Sequence, residues 1–131
     1  MVEPKKGQEK REISWREIIK AVDVIASKIN AKHFNSIYPI PRGGLIPAVL
    51  LSHRLNLPII DKSGINSKTL VVDDICDSGE TLKVANEFMK YKTGESITAA
   101  TLYKRKTSNL ELKYYYEEID KEWLVMPWEV K

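Results

Sequence analysis

The 131-residue chain has little of what builds disulfides or metal clusters: one cysteine, Cys76, and two histidines, His33 and His53. A single thiol excludes an internal disulfide, and these three residues have no spacing that suits structural zinc. Any metal is therefore expected to be oxygen-bound, which points to Mg²⁺. Long apolar runs are also missing, since nothing approaches the ~20 residues that cross a bilayer. The opening MVEPKKGQEKRE lacks the apolar core of a signal peptide, so the expectation is a cytoplasmic location with no membrane partner. Charge of one sign is scarce: the net charge is only +3, and the lysines are spread without a nucleic-acid-binding signature. Nucleic acid is not an expected partner.

What is present suits one globular domain, with 43% hydrophobic and 30% charged residues. Residues 1–12 are polar, with Pro4 and Gly7 and no apolar period, and read as a flexible arm before a domain over 13–131. Ser14 stands three before Glu17, a capping-box pattern, and Ile18, Val22, Ile25 and Ile29 then recur at helical spacing, predicting a helix over 15–30. SIYPI reads as a strand, PRGG as a turn and LIPAVLLSHRL as a buried helix, followed by extended LPII. KTLVVDDI, ETLKVANEFMKYK and ESITAATLYK continue as strand, helix and strand. LELKYYYEEI has the partial alternation of an edge strand, and EWLVMPWE is an aromatic-apolar run broken by Pro127. Alternating strands and helices predict an α/β fold, a parallel sheet flanked by helices on both faces.

Ligands of such sheets sit beyond the carboxyl ends of the strands, and both PRGG and DDICDSGET fall there. Ser78, Gly79, Glu80 and Thr81 open a helix, where free backbone N–H groups and two hydroxyls suit a phosphate monoester. Read alone, the same residues make an ordinary N-cap turn. Asp73 and Asp74 are consecutive in a strand and so point to opposite sides; at least one is costly to bury unless it meets hydroxyls, a cation or the sheet end. A vicinal diol would satisfy such acceptors. Paired carboxylates after an apolar strand also occur in response-regulator receivers, but there the pair lies near the N-terminus. PRGG alone is a tight βα turn. Cys76, set among carboxylates, reads as a small buried filler and not a nucleophile.

The run VVDDICDSGETL resembles the phosphoribosyl pyrophosphate (PRPP) signature of type I phosphoribosyltransferases. The resemblance implies that Asp73 and Asp74 hold the ribose 2′- and 3′-hydroxyls and touch the metal indirectly. It likewise assigns Asp77, Ser78, Gly79, Glu80 and Thr81 to the 5′-phosphate. An Asp at position 77 resembles the 6-oxopurine enzymes, in which that carboxylate is the catalytic group near purine N7. PIPRGGLIPA resembles the pyrophosphate loop of the xanthine-guanine enzymes and related archaeal-type purine enzymes, with Arg42, Gly43 and Gly44 matching. EWLVMPWE resembles their ending, which assigns Trp123 and Leu124 to the purine; Lys104, 19 positions before Trp123, matches the lysine that donates to purine O6. Lys106 competes for that role, and a solvated lysine run is the plain alternative for both. Trp128 and Glu129 match without a role.

The implied activity is transfer of the phosphoribosyl group of PRPP to N9 of hypoxanthine, guanine or xanthine, with Mg²⁺ and a homodimer by family analogy. Two departures stand out. Only residues 46–70 separate PRGGL from VVDD, too few for the mobile lid of the family, which leaves DKSGINSK as a shortened lid region and a non-catalytic PRPP- or nucleotide-binding domain as the alternative. Val125 replaces a polar residue of the xanthine-guanine enzymes, so base choice does not transfer.

Overall fold

A computed structural model describes residues 4–108 and 110–129. Met1 to Glu3 of the expected arm and Val130 and Lys131 of the expected domain lie outside that range. In chain order the elements are β1 (Lys10–Glu12), α1 (Trp15–Lys28), β2 (Ser36–Pro39), α2 (Leu45–Leu55), β3 (Thr69–Cys76), α3 (Glu80–Thr93), β4 (Thr98–Arg105), β5 (Tyr114–Ile119) and β6 (Trp123–Val125). β2, β3, β4 and β5 form one sheet in that order, with every pair parallel. β1 and β6 form a second, two-stranded parallel sheet.

Local chemistry explains the helix boundaries. The Ser14 hydroxyl accepts from the Glu17 N–H at 3.1 Å and starts α1, which buries Ile18, Ala21, Val22 and Ile25. α2 stops at Asn56, which takes the left-handed conformation (φ 54°). α3 runs between two glycines with positive φ, Gly79 and Gly94. Leu70, Val72, Ala100 and Leu102 pack with α1 and α2 in one apolar cluster, while Val71 and Ala99 pack with Leu82 of α3 in another. The sheet is therefore covered on both faces, as the alternation of elements predicts.

The expected arm differs at its end, since residues 10–12 are β1. Glu9 accepts from the Trp123 N–H at 2.6 Å, and Ile13 donates to Val125 O at 2.9 Å. Arg11 reaches Glu117 at 2.5 Å and Glu17 at 2.8 Å and lies over the Tyr103 ring, whose hydroxyl also donates to Glu17. A backbone ladder and ion pairs hold this strand, so no apolar period was needed to form it.

LPII adds to β2 only through a bridge between Ile37 and Ile59. The segment then turns through Lys62–Gly64, where Asp61 accepts from the Ser63 N–H at 2.9 Å, and buries Ile65. Lys62 sits 4.6 Å from the Phe88 ring centre, and Lys92 donates to Ser63 O. The DKSGINSK segment is thus fixed to the last turns of α3, at the amino end of β3.

Candidate functional site

The two loops of interest leave the carboxyl ends of β2 and β3. In the first, the Pro41–Arg42 peptide is cis, and Gly44 N–H donates to Ile40 O at 2.8 Å. A Cβ on Gly44 would overlap Val72 O and stand 2.8 Å from Ile40 O, so glycine is required by the close approach of β3. The Gly44 amide is consequently engaged within the fold, and of the expected anion-binding trio Arg42 and Gly43 are the residues that border a cavity. A Cβ on Gly43 would come within 2.6 Å of the Asp74 carboxylate, which shows how closely the two loops meet. Arg42, Gly43, Asp74, Trp128 and Glu129 all face this cavity of about 750 Å³.

The second loop closes around a cavity of about 200 Å³ walled by Asp73 to Leu82. Gly79 takes φ 91° at the helix start, a conformation glycine adopts without steric cost. Ser78 Oγ accepts from the Glu80 N–H at 3.2 Å, which leaves its own proton free for a ligand oxygen. Asp73 and Asp74 are braced by the chain that follows them. The Asp74 N–H donates to Asp73 Oδ1 and the Ile75 N–H to Asp74 Oδ1, both at 2.8 Å. Asp73 is only 8% exposed, and its carboxyl is held above the usual carboxylate range, by burial first and by the Asp74 charge second.

A third, smaller cavity of about 140 Å³ brings Asp74, Asp77, Arg105, Trp123, Leu124 and Glu129 together. Trp123 and Leu124 are therefore beside Asp77, although 46 positions separate Asp77 from Trp123 in the chain (123 − 77 = 46). Because Trp123 N–H and Val125 O are used by the β1 side, the main-chain groups of Leu124 point away from β1. Among the described residues no strand pairs with them on that side, so they can meet a ligand edge.

Lys104 is not part of this wall. It lies beside Cys76 in the sheet register, and its ammonium is 4.0 Å from Glu118. Its neighbour Arg105 is the basic residue that borders the cavity. The Arg105 side chain is 12% exposed, donates Nε–H to Asp77 Oδ1 at 2.6 Å, and reaches Asp120 O at 2.6 Å and Glu122 O at 3.1 Å. Lys106 is exposed and does not border the cavity. Cys76 is buried, 3.3 Å from the Ser108 hydroxyl, as expected of a filler. Trp128 and Glu129, for which the sequence offered no role, border the Arg42 cavity, and Trp128 packs on Trp15 at 5.8 Å between ring centres.

An open parallel sheet with paired carboxylates, a glycine-hinged turn at a helix start and a slot bordered by Trp123 at its carboxyl edge defines an α/β protein with its ligand site beyond the strand ends. Similar proteins agree. A family model described as phosphoribosyl transferase domain matches residues 61–131. The xanthine-guanine phosphoribosyltransferase of Chromohalobacter salexigens is 24% identical over 139 residues, covering 90% of this chain and 83% of that protein. Its namesake from Idiomarina loihiensis is 25% identical over 144 residues, covering 90% and 86%. The crystal structure of a purine phosphoribosyltransferase from Pyrococcus horikoshii superposes with a TM-score of 0.81 at 30% identity, over 93% of this chain and 95% of that one. The chain belongs to the phosphoribosyltransferase family.

Proposed function

We propose that this phosphoribosyltransferase transfers the phosphoribosyl group of PRPP to N9 of a 6-oxopurine, releasing pyrophosphate and a nucleoside 5′-monophosphate. The observation that carries the reading is the position of Asp74, which borders all three cavities: the anion turn, the Arg42 cleft and the Trp123 slot. A ribose held at Asp74 would have its phosphate, its pyrophosphate and its incoming base on three sides. The names of the similar proteins, all acting on purines, support the same substrate class.

In this reading Asp73 and Asp74 accept from the ribose hydroxyls, and Ser78 to Thr81 hold the 5′-phosphate through amides and hydroxyls. Arg42 and Gly43 face the pyrophosphate. As the bond from C1′ to pyrophosphate breaks, pyrophosphate leaves with the electron pair, and Arg42 stabilises the charge that grows on it. The base stacks on Trp123 with its edge toward the Leu124 main chain. Arg105 occupies Asp77 Oδ1, so Oδ2 is the oxygen left to take the N7 proton as N9 bonds to C1′. Among the described residues no group of three or more acidic, His or Cys side chains could hold a metal by itself. Two adjacent carboxylates beside a phosphate site fit Mg²⁺ carried in on substrate oxygens, with Asp73 and Asp74 acting from outside. When bound, Mg²⁺ neutralises charge on the pyrophosphate. We further propose that the protein works as a homodimer whose phosphoribosyltransferase domain takes in 13–131, with β1 added at its N-terminal edge.

Mixing the protein with PRPP, Mg²⁺ and each purine base, with PRPP binding measured in parallel, tests the assignment. Nucleotide should form from oxopurines, and Asp77→Asn should lower kcat by about 10²-fold or more, in the range for a lost general base, while PRPP Kd changes little. Tight PRPP binding without nucleotide from any base would instead indicate a sensor.

A further inference from the structure

Residues 5–8, part of the stretch that composition marks as a flexible arm, lie beside Asp77 and Trp123. Gly7 takes φ 84°, and the turn around it is closed by Gln8 N–H donating to Lys5 O at 3.0 Å and Lys5 N–H donating to the Gln8 side chain at 2.9 Å. Two residues later β1 pairs with β6, with Lys10 opposite Trp123. The pairing fixes where the turn lies. Lys5, Lys6, Gly7 and Gln8 line a cavity of about 420 Å³ together with Asp77, Arg105 and Trp123. The same three residues line the 140 Å³ base slot, so the two spaces meet across the Arg105–Asp77 pair.

The charge of this outer space is one-sided. Arg105 and Asp77 neutralise each other, leaving Lys5, Lys6 and Lys121 against the single carboxylate of Asp120. A base stacked on Trp123 would turn its outer edge toward those cations. Of the common oxopurines, xanthine has the most acidic ring N–H and carries part of a negative charge near neutral pH, whereas hypoxanthine stays neutral. A cationic wall attracts the first and is nearly indifferent to the second.

We propose that the Lys5–Gln8 turn is a specificity-determining wall of the purine site, which through Lys5 and Lys6 favours the acidic dioxopurine over the neutral monooxopurine. The proposal rests on the purine-transfer reading above. Neither lysine touches the reacting atoms, so the turn acts on base affinity and not on the chemical step.

The test compares wild type, the double variant Lys5→Glu/Lys6→Glu, and Gly7→Val, whose β-branched side chain opposes the positive φ of the turn. KM for xanthine and for hypoxanthine, kcat, and PRPP Kd are measured on each full-length protein. In the charge-reversal variant KM for xanthine should rise about tenfold, equivalent to about 1.4 kcal/mol, with hypoxanthine KM, kcat and PRPP Kd within about twofold of wild type. Gly7→Val, which moves the turn but keeps both charges, should reduce the preference for xanthine in the same direction, and unchanged PRPP Kd will show that its site is intact. Equal changes for both bases, or no change, would overturn the proposal while leaving purine transfer standing. No nucleotide from any base with the wild-type protein would overturn the purine reading itself.

Discussion

Asp73, the proposed acceptor for a ribose hydroxyl, is costly to bury. Its carboxyl is buried beside a second carboxylate, and both burial and that neighbour raise its folded-state pKa above the ordinary value. A raised folded pKa means that the native state binds the proton more tightly than the unfolded chain. Stability from this group is therefore complete below the ordinary carboxylate range and is lost as pH rises through the folded pKa. Asp73→Asn keeps the shape and removes the buried charge. Thermal melts of the ligand-free variant should show a Tm above wild type at mildly alkaline pH, with the gap closing in acid, while PRPP affinity falls in line with the proposed contact to a ribose hydroxyl. A variant Tm equal to or below wild type at every pH would contradict the electrostatic cause. Individual site residues differed in how legible they were. Asp73 to Thr81 could be read directly because their chemistry is contiguous along the chain. Arg105 could not, because a shift of one position at a strand end changes which side chain faces the site, and three basic residues stand together there. Lys104 lay at the expected spacing from Trp123, yet the sheet turns it to Glu118 and presents Arg105 to Asp77.

Among the elements, the helices were the most legible and the small sheet the least. α1, α2 and α3 carry their own start or stop signals, in Ser14, Asn56, Gly79 and Gly94, and end within two residues of the expected positions. β1 carries none, since Lys10, Arg11 and Glu12 gain strand structure only from β6, more than a hundred positions away. Pairing of that kind is invisible to local pattern. The junction of β2 with α2 shows the opposite case, a signal legible in type but not in cause. PRGG read as an anion loop, and its second glycine proves to be demanded by packing against Val72 and Ile40. Gly44→Ala should therefore destabilise the fold by about 1–3 kcal/mol, the usual cost of forcing atoms into a filled space. Urea denaturation measures this directly. An unchanged midpoint would mean that β3 and α2 can part more easily than their contacts imply.

The proposed transfer requires that water be kept from PRPP. The connection between α2 and β3 is where a closing loop would be expected, but it is committed to the amino end of the sheet through Ile65, Lys62 on Phe88, and Lys92 on Ser63. The Arg42 cleft, about 750 Å³, lies at the other end. A site left open in this way allows water to compete with purine for C1′. In that hydrolysis a water oxygen bonds to C1′, the bond from C1′ to pyrophosphate breaks, pyrophosphate leaves with the electron pair, and the water proton passes to solvent. Ribose 5-phosphate and pyrophosphate should thus accumulate from PRPP and Mg²⁺ without any base, slower than transfer but above a no-enzyme control. Adding a purine should suppress ribose 5-phosphate as nucleotide takes its place. If pyrophosphate appears only with purine, mole for mole with nucleotide, the cleft is closed in solution by something other than these loops. A second copy of the chain is then the first candidate, and the purine-dependent rate should fall on dilution as the copies separate.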